Sequence, residues 1–527
     1  MITRGARWGA MVSWGLWAAC LIVGAVATFR HDAIVSVGPE RWLIPAAVAG
    51  AMVPVWIMLD VQRRLVAGRV PRWSVAVGTV PPALVLGLVW GPGWTARMAA
   101  PADAPPTVAA GPSIVLVTLD SFRADHLGAL VGGTLTPNLD TLAGQGLLFT
   151  QAVTTAPLSA PAHASMLTGL GVLEHGLTSN GAAVRVPTVV EKVRAAGYRT
   201  GAFLGAQVID RDSGLHVGFE HYDDRWGMVQ RLAWLPALAE LHLPQAPPRR
   251  SGAETVDRAL EWLATDDGPA FLWVHLYDAH APYAPPSEFQ PSAAALDEAR
   301  RMDREDMGRR GDLGLIGNRP RSRVREQTLL YGASLRWVDA LVGRLVGRLP
   351  PDTIVIVAAD HGENLGEHGD YFSHGANVWE TAINVPMMVR WPGRFDAGSR
   401  FEVLTSVTLV ARLIEEGAGL TPPTPPAGSA TAFVYTTGQD ARQVDEVDAA
   451  RSPPTACVRR EGGKTLRRGD EPAVWFDLMA DPGELNPLPV PAELVNDVAV
   501  LEQVLSKPVP RLDDAQRERL EKLGYRE

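Results

Sequence analysis

Two aspartates stand where apolar, β-branched runs end. Ile114 to Leu119 closes on Asp120, and Thr353 to Ala359 (TIVIVAA) closes on Asp360, with His361 directly after it. Continuous runs of this length read as buried parallel strands. In parallel sheets ligands sit beyond the carboxyl ends of the strands, so both carboxylates project into one crevice. Alone, Asp120 could be a helix N-cap or a turn residue and His361 a satisfied buried histidine. Two carboxylates and an imidazole at two strand ends suit a cation instead. Ser159 is a further candidate: it precedes Pro161 and a helix-like stretch from Ala162 to Thr168, so it falls at a helix N-terminus. Serine there is commonly an N-cap, but backbone NH groups and the helix dipole at such a place also stabilise an alkoxide or a bound anion.

The elements that must position these residues follow an α/β pattern. Helix-like stretches Thr188 to Ala196 and Thr255 to Leu263 alternate with strand candidates Thr200 to Leu204 and Phe271 to Leu276. Met98 to Gly111 is a Pro/Ala-rich linker, and Thr421 to Thr431 (TPPTPPAGSAT) is a second Pro-rich break. Asp297 to Arg325 is dense in charge and poor in periodicity, which predicts a solvated insertion or lid near the site entrance. Smaller elements follow through Trp475 to Leu478, with a closing helix from Asp513.

With 527 residues the chain is too long for one ordinary core. A net charge of -9, from 58 acidic and 49 basic residues, and the absence of a basic stripe interleaved with aromatics exclude nucleic acid as a partner. Cys20 and Cys457 are the only cysteines, so neither a disulfide framework nor a CxxC metal knot can be built. Three uncharged runs, Gly9 to Phe29, Trp42 to Leu59 and Trp73 to Ala96, have lengths suited to crossing about 30 Å of hydrocarbon as helices. Arg4 and Arg7 precede the first, and Arg63, Arg64, Arg69 and Arg72 fill the gap before the third, which keeps those ends cytoplasmic and puts everything after Ala96 outside. The expectation is a multi-pass protein of the inner membrane with its catalytic domain on the periplasmic side. A signal peptide at Gly9 to Phe29 followed by buried core helices is the competing reading.

The strings VTLDSFRADHLG, TPNLDTLAGQGLLFTQAV, APLSAPAHASMLTGL and AADHGENLGEHG occur in that order, together with HLYDAHAPY, YGASLRWVDALVGRL, VPMMVRWPG, WFDLMADPGE and RLEKLGY. From about residue 113 to the end, the chain resembles the sulfatase branch of the alkaline phosphatase superfamily. The resemblance implies an alkaline-phosphatase/sulfatase-like α/β sandwich around a mostly parallel sheet. The expected division is a membrane anchor of three transmembrane helices over residues 1–97, a linker over 98–112, a catalytic domain over 113–420 and a smaller C-terminal subdomain over 421–527. It also implies that Asp120, Asp360 and His361 bind one divalent metal ion, with the nucleophile Ser159 completing the set. A DH pair in place of the DN pair common in calcium sulfatases leans toward manganese, zinc or magnesium over calcium. By the same resemblance His280 protonates the leaving oxygen, and His163, Asn180 and His374 contact the substrate. Arg123 and Asp125 read as a structural ion pair, and Glu363 and Glu367 as groups that could orient His361.

At one place the chain departs from that pattern. Typical sulfatases read Cys or Ser, any residue, Pro, Ser or Ala, then Arg, and the first residue is oxidised to formylglycine; here the string is Ser159-Ala160-Pro161-Ala162-His163. Formylglycine at Ser159 therefore stands against a plain serine, which suits phosphoryl transfer. The implied activity is metal-dependent hydrolysis of a sulfate or phosphate ester of a sugar, lipid or small molecule through a covalent intermediate. A phosphoethanolamine- or phosphoglycerol-type transferase acting at the membrane and a catalytically dead binding module are the alternatives.

Overall fold

The β-branched runs form strands because their side chains are buried on both faces of one sheet. The computed structural model describes residues 111–224, 249–310, 315–316, 319–320, 323–426, 428–438 and 453–507. Contacts divide the chain into Met1–Ala104 and Pro105–Glu527, and every described residue falls in the second part.

The main strands are β1 (Ile114–Leu119), β2 (Leu147–Phe149), β3 (Arg199–Leu204), β4 (His221–Asp223), β5 (Ala270–Leu276), β6 (Ile354–Ala359), β7 (Met387–Arg390) and β8 (Ser399–Phe401). They make one sheet of eight in the order β8-β2-β7-β6-β1-β5-β3-β4. All neighbours run parallel except β7, which is antiparallel to both β6 and β2. The helices are α1 (Pro137–Gly144), α2 (Ser159–Thr168), α3 (Val189–Ala195), α4 (Gly252–Leu263), α5 (Ala293–Arg310), α6 (Val324–Val346), α7 (Leu409–Gly417) and α8 (Val495–Leu505). α1 and α4 pack against α6 and the sheet, while α2 and α3 pack with α7, so helices cover two faces. Beyond α7, strands β9 (Ala432–Thr436), β10 (Thr455–Arg460), β11 (Gly463–Arg468) and β12 (Val474–Asp477) form an antiparallel sheet on which α8 packs.

Local chemistry explains the helix starts. Glu191 Oε2 accepts the Thr188 N–H at 3.0 Å ahead of α3, and the Ser251 hydroxyl accepts the Glu254 N–H at 3.3 Å ahead of α4. α2 begins at Ser159 rather than Ala162, because Pro161 sits within the first turn, where its missing N–H costs nothing.

Two expectations are corrected. The transmembrane part of the expected fold class, and the multi-pass inner-membrane location with it, has no support: no helix among the described residues is long and apolar enough to cross a membrane. The longest, α6 with 23 residues, carries Arg325, Glu326, Arg336, Asp339 and Arg344 along its length. The three uncharged runs of the N-terminal part lie outside the described residues, as does the closing helix expected from Asp513. The charged segment expected as a solvated insertion or lid begins as the regular helix α5. Arg301 pairs there with Glu298 and Glu305, Arg300 reaches Glu326 of α6 at 2.7 Å, and Arg325 reaches Asp306 at 2.7 Å. Ion pairs stand in for the apolar stripe that marks most helices.

Because β6 lies between β1 and β7, its packing sets the position of Asp360. Ile356→Ala in that strand, at a fully buried site, is expected to cost about 2–5 kcal/mol of unfolding free energy. Denaturant titration checks this, and a loss under about 1 kcal/mol would mean the strand is not part of the rigid core.

Candidate active site

Strand register brings the aspartates together. Leu119 of β1 pairs with Ala359 of β6 and with Leu276 of β5, so the next residues of β1 and β6, Asp120 and Asp360, leave the sheet side by side. Asp120 N–H is held by Leu276 O at 3.0 Å and Asp360 N–H by Leu119 O at 3.1 Å. Ser121 then takes a left-handed backbone, φ 54°, a conformation that costs a non-glycine residue about 1–3 kcal/mol. The turn is kept by Tyr331, whose hydroxyl donates to Ser121 O at 2.8 Å.

Each aspartate has one oxygen tied to the protein and one turned inward. Asp360 Oδ1 accepts the His361 N–H at 2.7 Å and the Ser121 N–H at 3.3 Å, while Oδ2 is buried with no hydrogen-bond partner among the described residues. Asp120 Oδ1 accepts the Ser121 hydroxyl at 2.9 Å, and its Oδ2 lies 3.3 Å from Ser159 Oγ. Ser159 Oγ is also 3.2 Å from His361 Nε2, which is 3.6 Å from Asp360 Oδ2. His361 Nδ1 donates to Gly362 O at 2.9 Å, so the neutral ring presents a bare Nε2 to this centre.

Burial shapes the charges. It pushes the Asp360 carboxyl well above the usual range, helped by the charge of Asp120. Burial opposes ionisation of Asp120 too, yet His280, His275 and His361 draw it well below that range. His361 is pushed down to about 3 by burial and then by His374. Its imidazole is therefore neutral at ordinary pH, the form that binds metals.

One ligand atom each from Asp120, Asp360 and His361 lie within 4.8 Å of one another. Metal bonds of 2.0–2.2 Å in a tetrahedral arrangement separate ligand atoms by about 3.3–3.6 Å, and the contacts of 3.2, 3.3 and 3.6 Å through Ser159 Oγ and His361 Nε2 lie at or just below that spacing. A buried oxygen without a donor, two adjacent carboxylates and a bare imidazole nitrogen fit a divalent cation.

The remaining expected residues surround this centre. His374 stacks on His361 with ring centroids 4.1 Å apart and meets Glu363 Oε1 through Nδ1 at 3.1 Å. His280 meets the His374 ring edge-on at 5.2 Å and donates from Nδ1 to Ala281 O at 2.6 Å. Asn180 Oδ1 accepts the Ala160 N–H at 3.0 Å. Since Pro161 has no N–H and Ala162 N–H serves Leu158 O at 3.0 Å, the expected cradle of free backbone NH groups at this helix start is largely spent. His163 donates from Nδ1 to Ser159 O at 2.7 Å, and its Nε2 meets Thr118 Oγ1 at 3.0 Å. Both of its nitrogens serve the protein, and burial followed by the proximity of His275 pushes its pKa well down.

Glu363 and Glu367 do not hold His361. Glu363 holds His374 and accepts the Tyr283 hydroxyl at 3.2 Å, and Glu367 pairs with Arg123 at 2.7 Å. Sequence reasoning passed over His275, on β5 beside Thr118, with Nε2 3.5 Å from Asp120 Oδ2. The available signal was a lone imidazole in the otherwise apolar run FLWVHL, two residues before the strand-end position level with Asp120.

A model of the sulfatase family matches residues 112–415, more than half of the chain. The chain belongs to the sulfatase family. The uncharacterized sulfatase YidJ of Escherichia coli is 26% identical over 332 residues, 56% of this chain and 65% of that protein, so the match spans just under two thirds of that relative. The multifunctional alkaline phosphatase superfamily protein PehA of Trinickia caryophylli is 25% identical over 488 residues, 73% of this chain and 93% of that protein. Among solved structures, the phosphonate monoester hydrolase of Agrobacterium radiobacter superposes with a TM-score of 0.56 at 21% identity, covering 75% of this chain and 95% of that one. A structure in complex with D-glucosamine-2-N,6-O-disulfate gives 0.55 at 20%, covering 79% and 98%. These likenesses establish the alkaline-phosphatase/sulfatase-like α/β fold with a mixed sheet.

Arg123 locks the loop behind this sulfatase centre. It forks onto Asp125 at 2.9 and 2.6 Å, reaches Glu367 at 2.7 Å and donates to Glu363 O at 3.2 Å. Burial raises the Asp125 and Glu367 carboxyls, but His126 and Arg123 draw Asp125, and Arg123 draws Glu367, below the usual range. A carboxyl depressed in the folded state stabilises above its unfolded pKa of about 4 and loses that contribution as pH falls through the folded value. The fall of Tm on acidification below about pH 4 is therefore expected to be shallower in Arg123→Met than in wild type; equal slopes in calorimetry would contradict this role.

Proposed function

We propose that this sulfatase-family protein hydrolyses an anionic ester, sulfate or phosphate, by way of a covalent intermediate on Ser159. The observation that carries the reading is the position of Ser159 Oγ, 3.3 Å from Asp120 Oδ2 and 3.2 Å from His361 Nε2, at the start of α2. Asp120, Asp360 and His361 are the residues that hold one divalent ion, manganese, zinc, magnesium or calcium. Such an ion, when bound, neutralises the non-bridging oxygens of the ester and lowers the pKa of the nucleophile.

The chain's own groups do the rest. Ser159 Oγ loses its proton to solvent and attacks sulfur or phosphorus while the bond to the leaving oxygen breaks. His280, whose Nδ1–H is committed to Ala281 O, enters as the imidazolium and gives its Nε2 proton to that oxygen. Water then attacks the same sulfur or phosphorus, passing one proton to His280 Nε2, and the bond to Ser159 Oγ breaks as that oxygen takes a proton from solvent, releasing the inorganic anion. His374 contacts the anion from its place on the His361 ring, and Asn180 positions the first turn of α2 through the Ala160 N–H. His163 acts as a positioning residue, since its nitrogens are engaged with Ser159 O and Thr118.

The names of relatives such as YidJ support sulfuric esters. The histidine at 163 supports a plain serine in place of formylglycine, and a serine alkoxide suits phosphate esters. We read Ser159 as unmodified and both ester types as candidate substrates.

Ser159→Ala is expected to lower turnover of aryl sulfate and aryl phosphate esters by about three orders of magnitude or more while metal content stays at the wild-type level. Retained turnover, or loss of the metal with the hydroxyl, would refute the assignment. Peptide mass spectrometry across Ser159 is expected to give the serine mass; a loss of two hydrogens would show formylglycine and overturn the plain-serine reading.

A further inference from the structure

We propose that Lys464 and Glu484, in the C-terminal part of the chain, are positioning residues for the catalytic centre, acting through the helical turn Glu380–Ile383. The inference rests on reading Asp120, Ser159 and His361 as the seat of ester hydrolysis, and it gives the WFDLMADPGE string, which ends at Glu484, a part in that reaction.

A single helical turn cannot satisfy its own last carbonyls. Here those carbonyls, and the one that follows, are spent on the catalytic loops. Thr381 O accepts the Glu363 N–H at 3.1 Å and Ala382 O the Gly362 N–H at 2.8 Å, so both residues after His361 are held. Ile383 O accepts the Thr154 N–H at 3.0 Å on the segment leading to Ser159, and Asn384 O accepts the Ala124 N–H at 3.2 Å on the loop that leaves Asp120. Consecutive carbonyls from Thr381 to Asn384 thus tie down the segments carrying all three residues. The approach is close: a Cβ at Gly362 would overlap Thr381 O, which is why the residue after His361 is a glycine.

The turn is itself held from the C-terminal sheet. Lys464 of β11, fully buried, donates from Nζ to Val378 O, pairs with Glu484 and lies 3.5 Å from Glu380 Oε1. Glu484 Oε2 accepts the Glu380 N–H at 2.7 Å, and Arg459 of β10 donates from Nε to both Glu380 oxygens at 3.1 and 3.2 Å. Thr436 of β9 donates to Gly375 O, next to His374. Glu484 takes a left-handed backbone, φ 54°, a conformation that a glutamate keeps only where its surroundings fix it. Val378, Ala382 and Ile383 also pack with Val434, Cys457 and Phe476 of the C-terminal sheet, but apolar contact is non-directional and leaves the turn free to slide. The buried ion pairs and hydrogen bonds fix its place. A misplacement of about 1 Å that originates far from the chemistry can cost about a hundredfold in rate.

The test compares the full chain as wild type, Lys464→Met, the double variant Lys464→Met/Glu484→Leu, and Arg460→Met. The double variant removes both charges of the pair, so it supplies the reading if the single variant fails to fold. Arg460→Met breaks the pair with Asp497 of α8, at 2.8 and 2.6 Å, and weakens the same sheet without touching the turn. Hydrogen exchange followed by mass spectrometry is expected to be about tenfold faster or more in both Lys464 variants at the peptides covering Gly362, Glu363 and Thr154, with β1 and β6 unchanged. Turnover of an aryl ester is expected to fall about 10–100-fold in kcat, with KM within about threefold of wild type. Arg460→Met is expected to lower Tm and leave exchange at those peptides, kcat and KM unchanged. Wild-type exchange there in the Lys464 variants, faster exchange with unchanged kcat, or equal losses in Arg460→Met would overturn the proposal. A wild type that turns over neither aryl sulfate nor aryl phosphate would overturn the hydrolysis reading, and the exchange comparison would still decide whether Lys464 and Glu484 hold the loops.

Discussion

Two buried carboxylates side by side cannot both be ionised without a positive charge between them, and the catalytic half of this protein is arranged around that constraint. Asp120 and Asp360 meet because Leu119 and Ala359 are paired in neighbouring strands, and both are wholly buried. The protein ties one oxygen of each carboxylate to backbone or hydroxyl donors and leaves the other facing Ser159 and His361. The left-handed turn at Ser121, the Tyr331 hydroxyl that keeps it and the carbonyl that sets the tautomer of His361 all serve to aim atoms at one point. Polar groups placed so in a buried interior are costly unless a cation or a shared proton completes them.

Labour is divided between sheet and helix. The sheet supplies Asp120 and Asp360 at the ends of β1 and β6, while α2 brings Ser159 to them from the side. His163 joins the two, accepting from Thr118 of β1 and donating to the carbonyl of Ser159 itself. Where typical sulfatases carry an arginine at this position, this chain uses a neutral ring with both nitrogens occupied.

Much of this was readable from residues alone. β1 runs from Ile114 to Leu119 as its apolar pattern required, and β6 begins one residue inside the expected run. Asp120, Asp360 and His361, separated by up to 241 positions between Asp120 and His361, converge because parallel strands collect their carboxyl ends at one edge, and the start of α2 brings Ser159 to them. What could not be read lies in register and hydrogen-bond direction. His275 sits in a run that is buried on both faces, so no alternation marks which way it points; only its pairing with Thr118 shows that it shares the face of Asp120. His163 has the residue type of an anion contact, but both of its nitrogens are engaged by Ser159 and Thr118, and Asn180 Oδ1 accepts the Ala160 N–H. α5 was hidden because a helix held by ion pairs lacks the apolar period from which helices are recognised. The reading of the N-terminal runs as membrane spans used length and apolarity, and no described helix has that character.

The most direct measurement is anomalous X-ray diffraction at the absorption edges of zinc and manganese, on crystals of the protein purified without chelator. A single strong peak enclosed by Asp120, Asp360, His361 and Ser159 is the predicted result. A fully ordered site with no anomalous peak, and Asp360 hydrogen-bonded as a carboxylic acid to Asp120, would show that the paired carboxylates are resolved by a proton and would contradict the account at its base.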